Sequence, residues 1–238
     1  VPDEEVGSHA SRASIEALAR QSRYCLVCEP ARAGGGRCVT ARKGTGNTVI
    51  TARGVAAHAG VAHEQGRSAV REMAHQVLAL EAMTDYARGI TVSVGTIEGG
   101  TTANTVPAFC RCVVDFRFSD LVSANEVAER MRQLKPVGPD VALEIDAEIN
   151  RPPMVRDDRA VQLLRRAQQS AQAVGLVLEE APPTGGGSDA NFTSAVGTPS
   201  IDGLGADGDG AHTWGEYVQV STLQTRARFW HHLLAHLD

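Results

Sequence analysis

The sequence predicts an α/β fold in which one α/β domain is interrupted by an inserted α+β domain. In this chain of 238 residues, strand and helix patterns alternate before about residue 40 and again after about residue 153. The segment between them has patterns in roughly β-β-α-β-β-α-β order, which favours an antiparallel sheet with two helices on one face. We therefore predict one domain from residues 1–40 and 154–238, and an inserted domain from residues 41–153.

The outer domain is predicted from apolar spacing and from glycine and proline positions. Helical spacing indicates helices at 8–21, 158–174 and 221–237. The last of these helices carries an apolar stripe of Leu223, Ala227, Trp230 and Leu234. Short apolar runs indicate strands at 24–27, 176–180 and 199–204. A glycine-rich loop is predicted at 33–36, and a second one at 185–189 precedes a short helix.

The inserted domain is predicted to begin with two short strands, 39–41 and 48–51, joined by a turn at 43–47. Further strands are predicted at 90–97, 109–118 and 141–149. One helix is predicted over 64–83, and a second is opened by the capping box Ser123–Glu126. Arg151-Pro152-Pro153 is typical of a linker back to the outer domain.

Composition excludes two classes of partner. The net charge is -5, and the charged residues form no basic face that could neutralise phosphates, so we expect no nucleic-acid binding. No apolar stretch is long enough to span a bilayer. The chain starts at Val1 inside a charged turn, with no basic and apolar leader, and we expect it to be the C-terminal portion of a longer protein.

Three short acidic or histidine-containing segments are candidates for chemistry. Asp3-Glu4-Glu5 fits either a solvated acidic turn or a metal site with a general base. Glu29 ends an apolar strand, where open α/β sheets place their sites, and His212 lies in a glycine-rich loop. Each segment alone also fits an ordinary surface position.

Taken together, these segments resemble the glutamate carboxypeptidase and aminoacylase family of two-zinc metallopeptidases over essentially the whole chain. The His-Ala-Gly and Gly-Gly-Gly-Ser-Asp motifs are most similar to the glutamate carboxypeptidase branch. The motifs, in order, are Asp3–Ser8, Glu29-Pro30, His58-Ala59-Gly60, Glu64–Ala69, Asn104–Ala108, Asp115-Phe116-Arg117, Arg151-Pro152, Thr184–Ala190 and His212 with Glu216–Val218.

The resemblance implies a role for several residues. Glu4 is implied as the general base, Glu5 and His212 as ligands of one zinc ion, and Glu29 as a ligand of the second. It also implies that His58 stabilises the oxyanion in a partner subunit's site, within a homodimer formed through the inserted, ferredoxin-like dimerisation or lid domain.

Substrate contacts are implied at four positions. The resemblance assigns them to Asn104, Arg117, Arg151 and Gly187. Arg117 fits an ion pair with Asp115 equally well. Arg37 is either a partner for an acidic group in the substrate or a surface charge.

The implied reaction is zinc-dependent hydrolysis of the amide bond to a C-terminal amino acid, glutamate by preference, in a small peptide or N-acyl amino acid. A deacylase of N-acyl amino acids, a dipeptidase and a non-catalytic dimerising relative are the alternatives. The family's upstream His-x-Asp and bridging Asp have no counterpart in this sequence. We therefore expect the isolated segment to be inactive and poorly soluble, with an exposed apolar sheet edge.

Overall fold

The computed structural model describes residues 1–32 and 36–237, so the predicted loop at 33–36 lies largely outside the described residues. The chain forms two compact units, unit 1 (residues 1–43 and 151–238) and unit 2 (residues 44–150). Unit 1 mixes helices with short parallel pairing and unit 2 is α+β, which confirms the predicted fold class. Among the described residues, no helix is long and apolar enough to cross a membrane.

Unit 1 contains four helices and four two-residue strands among its described residues. The helices are α1 (Arg12–Gln21), α4 (Asp158–Ala173), α5 (Ala190–Ala195) and α6 (Val220–His236). The strands are β1 (Cys25–Leu26), β8 (Ser200–Ile201), β9 (Gly208–Asp209) and β10 (Tyr217–Val218). β1 and β8 pair in parallel, and β9 and β10 form an antiparallel pair. The strand predicted at 176–180 is wrong, because this segment makes only an isolated bridge between Glu180 and Cys38.

The core of unit 1 lies between α4, α6 and the β1–β8 pair. Leu163 of α4 and Phe229 of α6 are buried in it. The apolar stripe predicted on α6 has the wrong register, since Leu223 and Leu234 are exposed whereas Phe229 and Leu233 are buried. The helix is apolar around much of its circumference, so the spacing alone fits more than one face.

Unit 2 is built on a four-stranded sheet in the order β4-β6-β2-β7. Its elements are β2 (Gly44–Arg53), β3 (Ala57–His58), α2 (Ala69–Glu81), β4 (Thr91–Gly99), β5 (Thr105–Val106), β6 (Phe109–Phe118), α3 (Leu121–Arg132) and β7 (Ala142–Arg151). α2 and α3 pack on this sheet, and their buried residues share one apolar core with Ile50 and Phe116.

The turn predicted at 43–47 is wrong, because residues 44–53 form one continuous strand. Gly44, Thr45 and Gly46 pair with the last residues of β6. A β-carbon at Gly46 would collide with the Phe116 ring and with the backbone oxygen of Glu148. Glycine is therefore needed at this position because the strand packs closely against a large aromatic ring. It does not mark a turn in the chain.

Both helix starts in unit 2 differ from the prediction. The N-cap of α3 is Asp120, whose carboxylate accepts a hydrogen bond from the Ser123 N–H at 2.8 Å, so Ser123 lies inside the helix. The predicted helix at 64–83 begins only at Ala69, where the Ser68 hydroxyl accepts from the Arg71 N–H. His63–Gln65 form a separate 3₁₀ turn. A serine or aspartate starts each helix because its side chain satisfies a backbone N–H that has no partner within the helix.

Glu72 is a buried carboxylate that fastens the loop after α3. It is 1% exposed. Its oxygens accept from the Val137 N–H at 3.0 Å, the Gly138 N–H at 2.7 Å and the Gln76 amide at 2.7 Å. Burial by itself would raise the pKa of Glu72, but these donors outweigh it and lower the pKa below its ordinary value.

We expect unit 2 to lose stability in acid through Glu72. Because its folded-state pKa is lowered, Glu72 contributes stability above its unfolded pKa of about 4.3, and this is lost as pH falls through the folded value. Glu72→Gln should cost about 1–3 kcal/mol at neutral pH and flatten this pH dependence. Hydrogen exchange of the β2 and β6 amides, followed as a function of pH, measures both the loss of stability and its pH dependence. Glu129→Gln on the exposed face of α3 is the control, and equal acid sensitivity in the Glu72 and Glu129 variants would contradict the assignment.

Candidate metal and substrate site

The acidic run folds as a short turn that gives its three carboxylates different surroundings. Glu4–Val6 form a 3₁₀ turn closed by Gly7 at φ 99°. The Asp3 carboxylate accepts from the Ser11 hydroxyl and from the Ala10 N–H, and the Ser11 bond is the main reason its pKa is lowered. Asp3 is thus a structural cap, while Glu4 points toward protein groups and Glu5 is exposed.

Arg151 holds this turn in place. Its guanidinium donates to the backbone oxygen of Glu4 at 2.8 Å and lies 3.0 Å from the Glu4 carboxylate. It also donates to Asp189 at 2.8 Å and to the Ser8 hydroxyl at 3.2 Å. The side chain is 5% exposed and stacks on the buried Phe192 ring, with 4.9 Å from the guanidinium carbon to the ring centroid.

These contacts occupy the guanidinium for which a substrate carboxylate was predicted. Arg151 would have to exchange Asp189 or Glu4 for such a ligand, so its predicted substrate contact stays a prediction. The family motif contains Asp189 but predicts no role for it, whereas the structure pairs it with Arg151. The need for Asp189 becomes visible only once Arg151 is known to be buried, because a buried arginine needs an acidic partner.

Glu4 and Glu29 lie in one electrostatic neighbourhood. Burial raises the pKa of Glu4. The positive charge of Arg151 opposes this rise, and the Glu29 and Asp189 carboxylates add to it. Burial likewise raises the pKa of Glu29, and the Asp202 and Glu5 carboxylates add to the rise. These carboxylates repel one another when they are all charged. A bound cation would relieve this repulsion and would therefore be favourable here.

Glu5 and His212 meet although they lie near opposite ends of the chain. The distance from Glu5 Oε2 to His212 Nε2 is 3.7 Å, and both side chains are more than 70% exposed. His212 has a φ of 64° and lies in the loop that joins β9 to β10. Asp207, at the base of this hairpin, is fixed to α6 by a 2.7 Å ion pair with the buried Arg226.

The donor types at this place fit zinc, which binds imidazole and carboxylate ligands. The described part of the chain has, however, no group of three or more His, Cys, Asp or Glu side chains that could hold a metal ion. Glu5 and His212 lie close enough to contact one ion together, and their role as ligands stays a prediction. The Glu5 carboxylate raises the pKa of Glu29, and the Glu29 carboxylate raises the pKa of Glu4. Among the described residues, however, Glu29 does not form a common ligand set with Glu5 and His212.

The glycine-rich segment 185–187 lies beside two arginines. A β-carbon at Gly186 would lie 3.4 Å from the Arg32 guanidinium and 3.7 Å from that of Arg42. Arg42 is buried, donates to the Gly186 carbonyl at 2.8 Å and forms a 2.8 Å ion pair with Asp202. The half-buried Gly187 follows in the same segment, before α5. The sequence does not predict the buried Arg42–Asp202 pair.

The structure gives Arg37 and Arg32 different surroundings. Arg37 forms an exposed 3.0 Å ion pair with Glu179, which fits the alternative of a surface charge. Arg32 donates to the Thr184 hydroxyl at 2.9 Å. Of these two arginines, Arg32 is thus the one beside the glycine-rich segment.

In unit 2 the structure brings together two predicted site residues. β3 pairs with β5, and the Ala59 N–H donates to the Asn104 carbonyl at 2.9 Å, so His58 and Asn104 are neighbours. The Gly60 N–H donates to His58 Nδ1 at 3.1 Å. A neutral His58 must then carry its proton on Nε2, which makes Nε2 a hydrogen-bond donor on an exposed loop.

Arg117 forms a two-pronged ion pair within its own strand. Its Nε and Nη2 each lie 2.7 Å from the Asp115 carboxylate. This is the structural alternative considered for the Asp-x-Arg motif. A substrate contact by Arg117 stays a prediction.

Several known proteins are similar to this chain in sequence or in fold. Residues 40–135 match the M20 family model described as peptidase dimerisation domain. Carboxypeptidase G2 from Pseudomonas sp. (strain RS-16) is 29% identical over 228 residues, which cover 94% of this chain and 55% of that protein. Acetylornithine deacetylase from Myxococcus xanthus is 30% identical over 244 residues, which cover 93% of this chain and 59% of that protein. The chain thus spans little more than half the length of these relatives.

A solved structure shows the same fold. A dinuclear metal-binding peptidase of the M20 family from Bacillus subtilis superposes with a TM-score of 0.69 at 15% identity, over 98% of this chain and 62% of that one. The motifs, the dimerisation-domain match and these relatives lead to one assignment: the chain carries an M20 peptidase dimerisation domain and is a homologue of carboxypeptidase G2 and acetylornithine deacetylase.

Proposed function

We propose that this chain provides part of the active site of a metal-dependent hydrolase that cleaves the amide bond to a C-terminal amino acid, glutamate by preference. The observation that carries the proposal is the Glu5–His212 pair, two zinc-type donors that the fold brings to 3.7 Å next to the half-buried Glu4. The relatives named above, a carboxypeptidase and a deacetylase, support the reaction class.

In this proposal Glu5 and His212 hold one ion and Glu29 contributes to a second, zinc in both cases. A zinc pair supplies a Lewis acid for the scissile carbonyl and lowers the pKa of water. The described residues offer two adjacent donors, so further ligands must come from elsewhere in the protein. His-x-Asp and bridging Asp residues are the expected source.

Glu4 is proposed as the general base. Its backbone and carboxylate are both held by Arg151, so the side chain is restricted in orientation. Burial raises its pKa, which brings its affinity for a proton closer to that required of a base at neutral pH. Its neighbour Glu5 points to His212, so one turn directs adjacent carboxylates to two tasks.

His58 is proposed to donate its Nε2 proton to the developing oxyanion in a partner subunit. The Gly60 N–H fixes the tautomer this requires. The match to a dimerisation domain supports a homodimer formed through unit 2. Asn104 lies beside His58 and is proposed to contact the substrate from the same loop region, while Arg117, Arg151 and Gly187 remain candidates for contacts with the amino-acid carboxylate.

The second candidate is a deacylase of N-acyl amino acids. It is favoured by the 30% identity to an acetylornithine deacetylase over 93% of this chain. Both candidates hydrolyse an amide and release an amino acid, so they differ in the acyl group and the amino acid that they accept and not in the roles of Glu4 and His212. A non-catalytic dimerising relative would need neither residue.

The test is zinc binding and amide hydrolysis in the longest natural form of the protein that contains these residues. His212→Gln should lower both the zinc retained after dialysis and the rate of glutamate release from N-acylglutamates. His58→Gln should keep the zinc but lose rate by about 10²–10³-fold. If chelator and His212→Gln leave hydrolysis unchanged, the metal assignment is wrong. If zinc binds but acylglutamates, acetylamino acids and dipeptides are all left uncleaved, the non-catalytic relative is correct.

A further inference from the structure

The last turn of α6 carries two histidines one turn apart. His232 and His236 have the i, i+4 spacing that places side chains on one face of a helix. Their rings are stacked, with centroids 4.1 Å apart and an interplanar angle of 16°. This face belongs to unit 1, and neither histidine is part of the Glu5–His212 pair.

The hydrogen bonding of His236 leaves one nitrogen free to bind a metal. Its Nδ1 lies 2.8 Å from the backbone oxygen of His232. A carbonyl oxygen only accepts, so Nδ1 must carry the proton and Nε2 keeps its lone pair. Metal-bound histidines typically have this arrangement, because donation of the other N–H to a carbonyl fixes the ring and makes the ligand more basic.

His232 presents the same nitrogen. Its Nδ1 is buried and has no hydrogen-bond partner among the described residues, so only Nε2 is accessible to a ligand from solvent. The ring itself is half-buried, which restricts it to a few orientations.

The position on the helix also favours a cation. His236 is the last residue of α6, where the unpaired carbonyls give the helix dipole its negative end. A divalent ion held there would be stabilised by the dipole in addition to its two imidazole ligands. Imidazole pairs select zinc, copper and nickel over magnesium and calcium.

We propose that His232 and His236 form a site for a divalent transition-metal ion, separate from the Glu5–His212 pair. The described chain has no cluster of three or more metal-binding side chains, so solvent would complete the coordination. The site would be open, as in metal sites that exchange a ligand, and its occupancy would not depend on the proposed hydrolase activity.

The experiment is a calorimetric titration of the folded protein with Ni²⁺, and His231 supplies a matched control on the same helix. His232→Gln and His236→Gln should each weaken one Ni²⁺ site by about tenfold or more, because even loss of an outer-shell partner commonly costs about 10–100-fold in affinity. His231→Gln and His212→Gln should leave that site unchanged. In ¹⁵N spectra, Ni²⁺ should broaden the imidazole signals of His232 and His236 before those of His231.

Circular dichroism of each variant shows that α6 is still folded. The proposal is overturned if either single variant keeps affinity within about twofold of the unmodified protein. It is also overturned if His231→Gln weakens Ni²⁺ binding as much as His232→Gln and His236→Gln do, because that would indicate non-specific binding to histidines. Loss of Ni²⁺ binding in His212→Gln alone would place the ion at the Glu5–His212 pair, which supports the proposed function and rejects the α6 site.

Discussion

Asp202→Asn is expected to lower the free energy of unfolding of unit 1 by about 3–5 kcal/mol, since it leaves a buried arginine without its counter-charge. Arg42 and Asp202 are 4% and 0% exposed at the side chain, and their atoms lie 2.8 Å apart. Asp202 also accepts from the Ser188 hydroxyl and from the Gly203 N–H. The substitution therefore disturbs three contacts beside the glycine-rich segment.

The measurement is urea unfolding followed by tryptophan fluorescence. Both tryptophans, Trp214 and Trp230, belong to unit 1, so the signal reports that unit alone. Glu179→Gln is the control, because it breaks the exposed Arg37–Glu179 pair and should cost about 0–1 kcal/mol. Equal losses in the two variants would show that the buried pair contributes no more than a surface one.

The buried pair illustrates what sequence could and could not predict. The order of helices and strands follows from periodicity, and the fold class was predicted from it. Asp202 and Arg42 are 160 positions apart, and nothing local in either segment signals that both become buried. Pairing of this kind is decided by tertiary packing, which a pattern of single residues does not contain.

The wrongly predicted turn at 43–47 and the wrong start of α3 each follow from a residue type that fits more than one local structure. Gly44 and Gly46 favoured a turn because glycine is common in turns, but here a neighbouring ring requires the missing side chain. Ser123 and Asp120 are both acceptable N-caps, and only the backbone geometry distinguishes them. The motifs assigned Glu5 and His212 to one ion, and their side chains lie 3.7 Å apart, but their role as ligands stays a prediction. The motifs did not predict that the Arg151 guanidinium would be paired with Glu4 and Asp189.

Glu4→Gln is expected to reduce amide hydrolysis by about 10²–10⁴-fold while leaving zinc content unchanged, since the amide keeps the length of the side chain but cannot take up a proton. Glu5→Gln, one residue away, should lose zinc as well as rate. The measurement is kcat and bound zinc in both variants, in the longest natural form that contains these residues.

The Glu4–Arg151 contact supplies the competing explanation that this experiment must exclude. If Glu4 acts only as the ion-pair partner of Arg151, its replacement should lower the stability of unit 1 and reduce the rate only through unfolding. Urea unfolding of Glu4→Gln then separates the two cases. A folded, zinc-loaded variant with little turnover supports the general base, whereas a folded variant with near-normal turnover rejects it. A rate loss that tracks the unfolded fraction assigns Glu4 to structure, because a base affects the chemical step in molecules that remain folded.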